Sequence, residues 1–251
     1  MHSVIHTNFK HQESVFDDFI KNFDLKGIPF GNQDRNTLKL FKLEGNTVNV
    51  KSFKIPNIIN QIAYRFFRKS KAQRSYEYAN KLIELGVGTP QPIGYYEFVT
   101  PIFFKRSYYI SEQLDCDLTY RELTTNLNYP NHEVILREFT KFTFELHEKG
   151  INFLDHSPGN TLIKKEGDTY KFYLVDLNRM EFKSMDIKSR IKNLSRLTIQ
   201  DELVKVMSDE YAKLYNVTFD EVYNLLWDDI NTFQNKIKRK KALKKKLLFR
   251  H

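Results

Sequence analysis

The hydrophobic pattern of the chain changes from the period of strands to that of helices at about residue 130, which limits the fold more than any other feature. Residues 37–43 (TLKLFKL) and 47–53 (TVNVKSF) alternate apolar and polar side chains around a turn-forming triplet at 44–46. Apolar residues then recur at helical spacing over 71–85, and residues 107–114 have the pattern of another strand. The first part is therefore predicted to be strand-rich with one inserted helix.

The second part of the chain is predicted to be mainly helical. A helix is expected over 133–149, where an apolar stripe is followed by Gly150. The loop INFLDHSPGN and a hairpin of the strands TLIKK and YKFYLVD come next, and helices continue beyond Asp186. We therefore predict an α+β fold of two lobes, a strand-rich N-lobe over 1–114 and a helical C-lobe over 115–235.

The net charge of +9 comes from the last residues of the chain, 236–251. Nine cations and no acid fall in this tail, which leaves 31 basic residues (40 minus 9) against 31 acidic ones elsewhere. The cations are Lys236, Lys238, Arg239, Lys240, Lys241, Lys244, Lys245, Lys246 and Arg250. Such a tail is typical of an arm that binds nucleic acid or acidic lipid headgroups.

Apolar residues in the same tail favour a membrane over nucleic acid. If the segment is helical, these residues form a small apolar edge, as in an interfacial helix; they are Leu243, Leu247, Leu248 and Phe249. A solvated helix end that touches nothing is the alternative interpretation.

Other features narrow the class of protein. Cys116 is the only cysteine, which excludes a disulfide framework and a Cys-rich zinc site. The N-terminus lacks the pattern of a secretory signal, and no run of about 18 apolar residues occurs. We expect a cytoplasmic protein that does not span a membrane.

Three polar residues around the predicted hairpin of the second part indicate a metal site. Asp155 lies in the loop before the hairpin, Asn160 follows five residues later, and Asp176 ends the second strand. Mg²⁺ prefers oxygen ligands and usually takes one or two carboxylates together with phosphate oxygens. A site for Mg²⁺ with a nucleotide at Asn160 and Asp176 would leave Asp155 to orient a hydroxyl group.

A lysine in the first part is a candidate for nucleotide phosphates. Alternation places Lys51 on one face of its strand, and Glu77 in the following helix is expected to pair with it, since a buried lysine needs a partner to stay charged. An exposed i,i+4 pair between Glu77 and Lys81 is an equally weighted alternative.

These residues stand in the order found in kinases. VNVKSF resembles the kinase V-A-I-K strand, Glu77 the glutamate of the next helix, DHSPGN the D-x-x-x-x-N of the catalytic loop, and VDLN the segment with the metal-binding aspartate. The segments KSKAQRSYEYANKLIELGVGTPQPIGY and GINFLDHSPGNTLI are similar to the Kdo/lipopolysaccharide core kinase family. The resemblance covers residues 30–185.

The resemblance implies a protein-kinase-like fold with ATP and Mg²⁺ as cofactors. Asp155 would accept the proton of the substrate hydroxyl, Asn160 and Asp176 would bind Mg²⁺, and Lys51 paired with Glu77 would hold the phosphates. The adenine is expected against the backbone of residues 111–114.

The sequence departs from the kinase pattern at three places. Phe153 and Leu154 replace the histidine and arginine before the catalytic aspartate, Asn178 stands where the third residue of D-F-G is expected, and no G-x-G-x-x-G precedes the hairpin. Residues 31–36 would cover the phosphates instead, with Arg35 supplying charge.

The expected function is phosphorylation of a sugar hydroxyl, Kdo above all, in an anionic lipopolysaccharide core glycolipid. The enzyme would lie at the inner face of the inner membrane, with the tail as its contact and nucleic acid not a partner. The alternatives are a kinase for another small molecule or a protein, and a non-catalytic pseudokinase scaffold.

Two further groups of residues have the chemistry of a binding site. His147 and His156 are expected to be structural, because no carboxylate or cysteine cluster accompanies them at metal spacing. A second basic cluster follows the apolar stretch IPNIINQIAY and is either a solvated helix start or a surface for acidic substrate or membrane; it contains Arg65, Arg68, Lys69, Lys71 and Arg74.

Overall fold

The computed structural model describes residues 1–32 and 36–248, with all of their side chains except those of 244 and 246–248. The chain folds into two compact units. Unit 1 comprises Met1–Asp115 together with Tyr173–Arg179, and unit 2 comprises Cys116–Phe172 and the chain from Met180 onward.

Unit 1 is built on an antiparallel sheet. Its strands are β1 (His2–Ile5), β2 (Ile28–Pro29), β3 (Thr37–Leu43), β4 (Asn46–Phe53), β5 (Pro92–Val99) and β6 (Phe104–Glu112). They lie in the order β1-β5-β6-β4-β3-β2. Leu43 pairs with Asn46, so only Glu44 and Gly45 form the loop of the β3–β4 hairpin. Both have positive φ, as a two-residue turn that follows the twist of a hairpin requires.

The helices of unit 1 are a 3-10 helix (Thr7–Gln12), α1 (Glu13–Lys21), α2 (Ile58–Phe66) and α3 (Lys71–Glu84). Asn57 caps α2 and Ser70 caps α3, each by accepting a hydrogen bond from a backbone N–H three residues later. Side-chain caps therefore fix the start of both helices that follow the hairpin.

The two faces of the sheet carry different layers. Val48 and Val50 of β4 are fully buried in a cluster with Phe16 and Phe19 of α1. The intervening positions of β4 point to the other face, where Phe53 packs with Ala72 of α3 and Tyr95 of β5. Lys51, two residues before Phe53, therefore lies on the α3 face of the sheet.

Unit 2 consists mainly of helices. Its elements are β7 (Leu118–Thr119), α4 (Tyr120–Thr125), α5 (His132–Glu148), β8 (Ile151–Phe153), β9 (Thr161–Glu166), most of β10 (Thr169–Leu174), β11 (Met180–Phe182), α6 (Ile187–Leu194), α7 (Asp201–Tyr215) and α8 (Phe219–Leu248). The strands form two small sheets, β10-β9-β7 and β11-β8. The core of the unit includes Tyr120, Phe139, Met207, Tyr211 and Leu226, all fully buried.

The sequence predicted several of these elements. The first hairpin, the helix of 71–85 and the helix of 133–149 correspond to β3–β4, α3 and α5. The strand β1 and the helices α1 and α2 were not predicted.

The unit boundaries differ from the predicted lobes at residues 173–179, which were assigned to the C-lobe. This segment clusters with unit 1 because its backbone bonds there: the N–H of Leu174 donates to the carbonyl of Gly88 at 2.9 Å, and the Thr89 hydroxyl donates to the carbonyl of Leu174 at 2.8 Å.

The predicted tail, 236–251, is not separate in the part that the structure describes. It continues α8, which runs unbroken to Leu248. None of the helices in the described residues combines the length and the hydropathy that a membrane span requires.

The packing of α1 on the sheet gives a test of the unit 1 core. Phe16→Ala removes a fully buried ring, and we expect the free energy of unfolding to fall by about 3–5 kcal/mol. The matched control is Phe67→Ala, because Phe67 is 80% exposed and the same change there should stay within about 0.5 kcal/mol. Urea unfolding measures both, and equal losses would contradict the proposed core.

Candidate functional site

Lys51 and Asp176 form an ion pair within unit 1. The Nζ atom of Lys51 lies 2.7 Å from Oδ1 of Asp176, with the lysine side chain 14% exposed and the aspartate 31% exposed. The lysine ammonium also lies 5.4 Å from the centre of the Phe53 ring. The strand register opposite Tyr109 of β6 and Leu38 of β3 fixes the backbone of Lys51. The sheet thus holds a mostly buried cation beside a carboxylate.

Asp176 adopts an unusual backbone conformation. Its φ of 59° lies in the left-handed region, which few residues other than glycine occupy. Nδ2 of Asn178 donates to Oδ1 of Asp176 at 2.6 Å. The same carboxylate oxygen therefore receives both Lys51 and Asn178, and Oδ2 is left as the oxygen available to a ligand. Strained backbone of this kind is often retained at functional positions.

Lys71 lies within electrostatic range of Asp176 and of three other cations. Burial lowers the pKa of Lys71; the Asp176 carboxylate opposes that shift, and the positive charges of Arg74, Lys51 and Arg179 add to it. Lys71 thus interacts electrostatically with three cations and one carboxylate. The local charge is positive and suits a multiply charged anion such as a nucleotide triphosphate.

The expected ion pair between Lys51 and Glu77 is not formed. Glu77 instead receives Lys69, whose Nζ lies 2.8 Å from Oε2, and the Gln73 amide donates to Oε1 at 3.0 Å. Lys69 lies just before the α3 cap, within reach of the second turn of the helix, and Asp176 is already bonded to Lys51. The glutamate of this helix therefore neutralises a different lysine from the one predicted.

Asp155 and Asn160 lie together in the loop between β8 and β9 of unit 2. Nδ2 of Asn160 donates to the backbone carbonyl of Asp155 at 2.8 Å. This bond ties the two ends of the loop and leaves Oδ1 of the Asn160 amide to act as a ligand. The Asp155 side chain is 32% exposed, so its carboxylate is accessible.

Arginines that the sequence analysis did not identify flank this loop. Nη1 of Arg196 donates to the carbonyl of Leu154 at 2.9 Å and lies 3.7 Å from Oδ1 of Asp155. The Arg121 guanidinium passes so close to Gly159 that a Cβ atom there would lie 2.7 Å from its Nη2. Neither arginine belongs to a motif, since α6 precedes one and α4 contains the other, and only the tertiary fold places them here.

A buried network of polar side chains supports the loop from below. Asn193 of α6 accepts from His147 and His156 with its Oδ1, at 3.2 and 3.0 Å, and donates to Asn152 and to the carbonyl of Phe153 at 2.9 and 2.8 Å. The Tyr211 hydroxyl bonds Nδ1 of His147 at 2.7 Å. The network fixes the strand that leads into Asp155.

Both histidines of the network are structural in position, as expected. Burial lowers the pKa of His147 to about 3 and that of His156 to about 4. Nε2 of His156 is buried without a hydrogen-bond partner among the described residues. The rings are thus held neutral, and no acidic side chain accompanies them in the bonds above.

The donors present fit Mg²⁺ bound with a nucleotide. Among the described residues no group of three or more His, Cys, Asp or Glu side chains could form a metal cage. Mg²⁺ does not need one, because it usually takes one or two carboxylates and completes its shell with phosphates and water. Oδ2 of Asp176 in unit 1 and Oδ1 of Asn160 in unit 2 are oxygen donors of the required kind.

Arg35 and the backbone of residues 111–114 were also predicted to contact the nucleotide. Arg35 lies outside the described residues, so the structure does not place it. The backbone predicted to meet adenine, 111–114, contributes Glu112, Gln113 and Leu114 to a cavity of about 440 Å³ in unit 1. Lys51 and Asp176 do not line this cavity, which keeps it distinct from the phosphate-binding candidates.

The chain is similar to a known protein family and to a solved structure. The family described as lipopolysaccharide kinase (Kdo/WaaP) matches residues 54–217, more than half of the 251-residue chain. No curated protein matches the chain significantly.

The fold is similar to that of a solved structure of WaaP in complex with acyl carrier protein. The two chains are 15% identical, the TM-score is 0.64, and the likeness covers 95% of this chain and 99% of that one. The predicted α+β, protein-kinase-like fold is confirmed by this likeness.

The buried histidines predict a pH dependence of stability. Their folded pKa values lie below the ordinary value of about 6.5, so the unfolded chain binds these protons first as the pH falls. Their contribution to stability is complete above about pH 6.5 and is lost toward pH 4. We expect the free energy of unfolding to fall by about 1–2 kcal/mol per pH unit in this window.

Urea unfolding at a series of pH values measures this slope. His156→Gln should flatten it, even if the variant is less stable overall, while the exposed His11→Gln should leave it unchanged. The assignment is wrong if both variants keep the slope of the unaltered chain.

Proposed function

Because the chain belongs to the lipopolysaccharide kinase (Kdo/WaaP) family, we propose that it transfers the γ-phosphoryl group of ATP to a hydroxyl of Kdo in a lipopolysaccharide core glycolipid. The enzyme is a phosphotransferase with a sugar hydroxyl as acceptor. ATP as the donor, Mg²⁺ as the metal and Kdo as the sugar are the specific parts of the proposal.

The observation that best supports this proposal is the ion pair between Lys51 and Asp176, with further cations nearby. Lys51 would hold phosphate oxygens of ATP, and Lys71, Arg74 and Arg179 raise the positive potential there. Asp176 and Asn160 would hold Mg²⁺, which when bound neutralises charge on the transferring phosphoryl group. Arg35 is retained as a proposed phosphate contact.

Asp155 is the proposed acceptor of the proton. The sugar hydroxyl oxygen forms a bond to the γ-phosphorus while the bond from that phosphorus to the β–γ bridging oxygen breaks, and ADP leaves. The hydroxyl proton passes to the Asp155 carboxylate. Nη1 of Arg196 lies 3.7 Å from Oδ1 of that carboxylate and would help to position it.

Glu77 does not form the ion pair with Lys51, so the role that the resemblance implied for it is replaced by a less direct one. Its bonds to Lys69 and Gln73 support a role in positioning the first turns of α3, from which Lys71 and Arg74 project. We therefore propose that Glu77 acts on the phosphates only indirectly, through α3.

Charge supports an anionic acceptor. The guanidinium groups of Arg121 and Arg196 flank the loop that carries Asp155 and Asn160. Kdo carries a carboxylate, and lipid A carries phosphates, which arginine recognises well.

The proposal is tested by incubating the full chain with radiolabelled ATP, Mg²⁺ and a panel of acceptors. The panel holds Kdo-lipid A, heptosylated core, an aminoglycoside and a generic protein. Label on the Kdo glycolipid is expected. Label on the protein or aminoglycoside alone would show a different kinase, and ATP binding without any labelled acceptor would show a pseudokinase.

Variants of the two aspartates separate their roles. Asp155→Asn should lower the transfer rate by about 10²–10⁴-fold and leave ATP affinity unchanged, because only the proton acceptor is lost. Asp176→Ala should also weaken Mg²⁺-dependent ATP binding, measured by calorimetry. Asp168→Asn, in an exposed turn, is the control and should change neither quantity. Full activity in Asp155→Asn would remove this residue from the mechanism.

We also propose that the basic end of α8 docks the enzyme on the inner face of the inner membrane. Lys236, Lys238, Arg239, Lys240 and Lys241 are exposed on this helix. Each cation near an anionic surface contributes about 1 kcal/mol of binding. The remaining tail residues Lys244, Lys246, Leu247, Leu248, Phe249 and Arg250 have side chains outside the described residues.

Glutamine substitution tests this docking. Lys238→Gln, Lys240→Gln and Lys241→Gln combined should weaken binding to phosphatidylglycerol vesicles by more than about tenfold in co-sedimentation. The same three changes at the exposed Lys21, Lys42 and Lys188 are the matched control. Equal binding by both triple variants, or tighter binding of the tail to nucleic acid at the same salt, would contradict membrane docking.

A further inference from the structure

The helix α2 is attached to unit 1 by its polar side. Gln61 is buried on this side, and its Nε2 donates at 2.9 Å to the carbonyl of Pro56, just before the helix. Nε of Arg65 donates to the carbonyl of Thr100 at 3.0 Å. The ring of Tyr64 packs on Phe104 of β6, with 5.6 Å between centroids. The contacts of Arg65 and Tyr64 with distant parts of the unit orient the helix about its axis.

The opposite side of α2 presents large apolar residues to solvent. We call Ile58, Ile59, Ile62 and Phe66 the α2 apolar face. Their spacing places them in one stripe about 100° wide. All are exposed, Ile59 by 79%, and the stripe is extended by Ile55 before the helix and by Phe67 directly after it.

This orientation is the reverse of the usual one. A surface helix normally buries its apolar stripe and exposes its polar side. Exposed apolar residues such as Leu25 and Ile199 lie singly in the sequence and need no explanation. A contiguous apolar face rimmed by polar residues instead marks a surface that another apolar phase or partner covers.

The charge around α2 decides what that partner is. From Lys54 to Arg74 the chain has six cations and no acid. Lys54 and Arg68 are exposed before and after the helix, and the Lys69 charge is matched by Glu77. Apolar side chains inserted between flanking cations are typical of a helix that lies in the interface of an anionic bilayer.

We propose that α2 is an interfacial membrane anchor, with the α2 apolar face inserted among the acyl chains of an anionic bilayer and the flanking cations at the headgroups. The surface belongs to unit 1 and consists of different residues from the basic end of α8. The inference stands independently of the proposed reaction, because it rests on exposure and charge alone.

A tryptophan on the α2 apolar face tests insertion directly. Ile59→Trp in the full chain should show a blue shift of emission and quenching by brominated lipid when vesicles of phosphatidylcholine and phosphatidylglycerol are added. Leu25→Trp, at an 88% exposed position of the same unit, is the matched control and should show neither. The native Trp227 contributes equally to both variants, and its signal in the unaltered chain is subtracted.

Affinity supplies the second measurement. Ile58→Ser combined with Ile59→Ser should weaken binding to the same vesicles by at least about tenfold, because two apolar side chains no longer insert. The control combines Leu25→Ser with Ile199→Ser, which should bind as the unaltered chain does. The difference in vesicle affinity between the unaltered chain and the α2 variant should persist at high salt, since salt does not screen apolar insertion.

Three results would overturn the anchor. One is a tryptophan emission maximum of Ile59→Trp that does not shift to the blue when the protein is bound to vesicles. Another is unchanged vesicle affinity of the α2 serine variant. The third is a serine variant that loses binding to an acidic protein and keeps its affinity for vesicles, which would make the surface a protein interface.

The same variants distinguish this inference from the proposed function. With a detergent-dispersed glycolipid acceptor, the α2 serine variant should keep the transfer rate of the unaltered chain, whereas Asp155→Asn should lose it. Loss of transfer in both would contradict the separation of anchor and catalytic residues. Vesicle binding by a chain that labels no acceptor would support the anchor and contradict the kinase proposal.

Discussion

The ion pair between Lys51 and Asp176 connects the central sheet of unit 1 to a segment that arrives much later in the chain. Desolvation makes a buried pair a weak source of stability, but removing one partner leaves an uncompensated charge. Lys51 is the more buried of the two, so its dependence on Asp176 is the stronger. The position of residues 173–179 in unit 1 depends on this pair and on the backbone bonds of Leu174.

The charges that act on Lys71 extend the electrostatics of the pair. Asp176 already has Lys51 and Asn178 on one carboxylate oxygen. The pKa of Lys71 is lowered first by burial, and repulsion from Arg74, Lys51 and Arg179 adds to that shift. An anion bound here would relieve that repulsion. The arrangement therefore favours binding of phosphate over a purely structural role.

In unit 2, the loop that carries Asp155 is supported by a network of neutral side chains. Asn193 collects two histidine N–H groups on its oxygen and donates both amide hydrogens to the strand before Asp155. The kinase pattern has a histidine and an arginine in the two positions before the aspartate, and this chain has Phe153 and Leu154. His156 and Arg196 supply an imidazole and a guanidinium from other positions in the sequence. Support of the loop is thus retained with different residues.

The sequence predicted features that depend on local periodicity. Alternation in 37–53 and helical spacing in 71–85 were sufficient for β3, β4 and α3, and kinase order identified Asp155, Asn160 and Asp176 as candidates. The partner of Glu77 was not predicted, because the sequence indicated only Lys51 or Lys81. The path of the chain before Ser70 places Lys69 there instead. The positive φ of Asp176 could not be predicted from the sequence, since aspartate tolerates the left-handed region but occupies it in only a minority of cases.

The helix α2 shows why burial must be known before amphipathicity is interpreted. Its sequence has a clear apolar stripe, and the usual inference would bury that stripe in the core. The bond of Arg65 to Thr100 and the packing of Tyr64 on Phe104 turn the stripe outward instead. Apolar insertion at α2 and charge attraction at the end of α8 respond differently to salt, because screening weakens only the second. A chain that uses both would approach an anionic membrane through its long-range charge and remain bound through its isoleucines and phenylalanines.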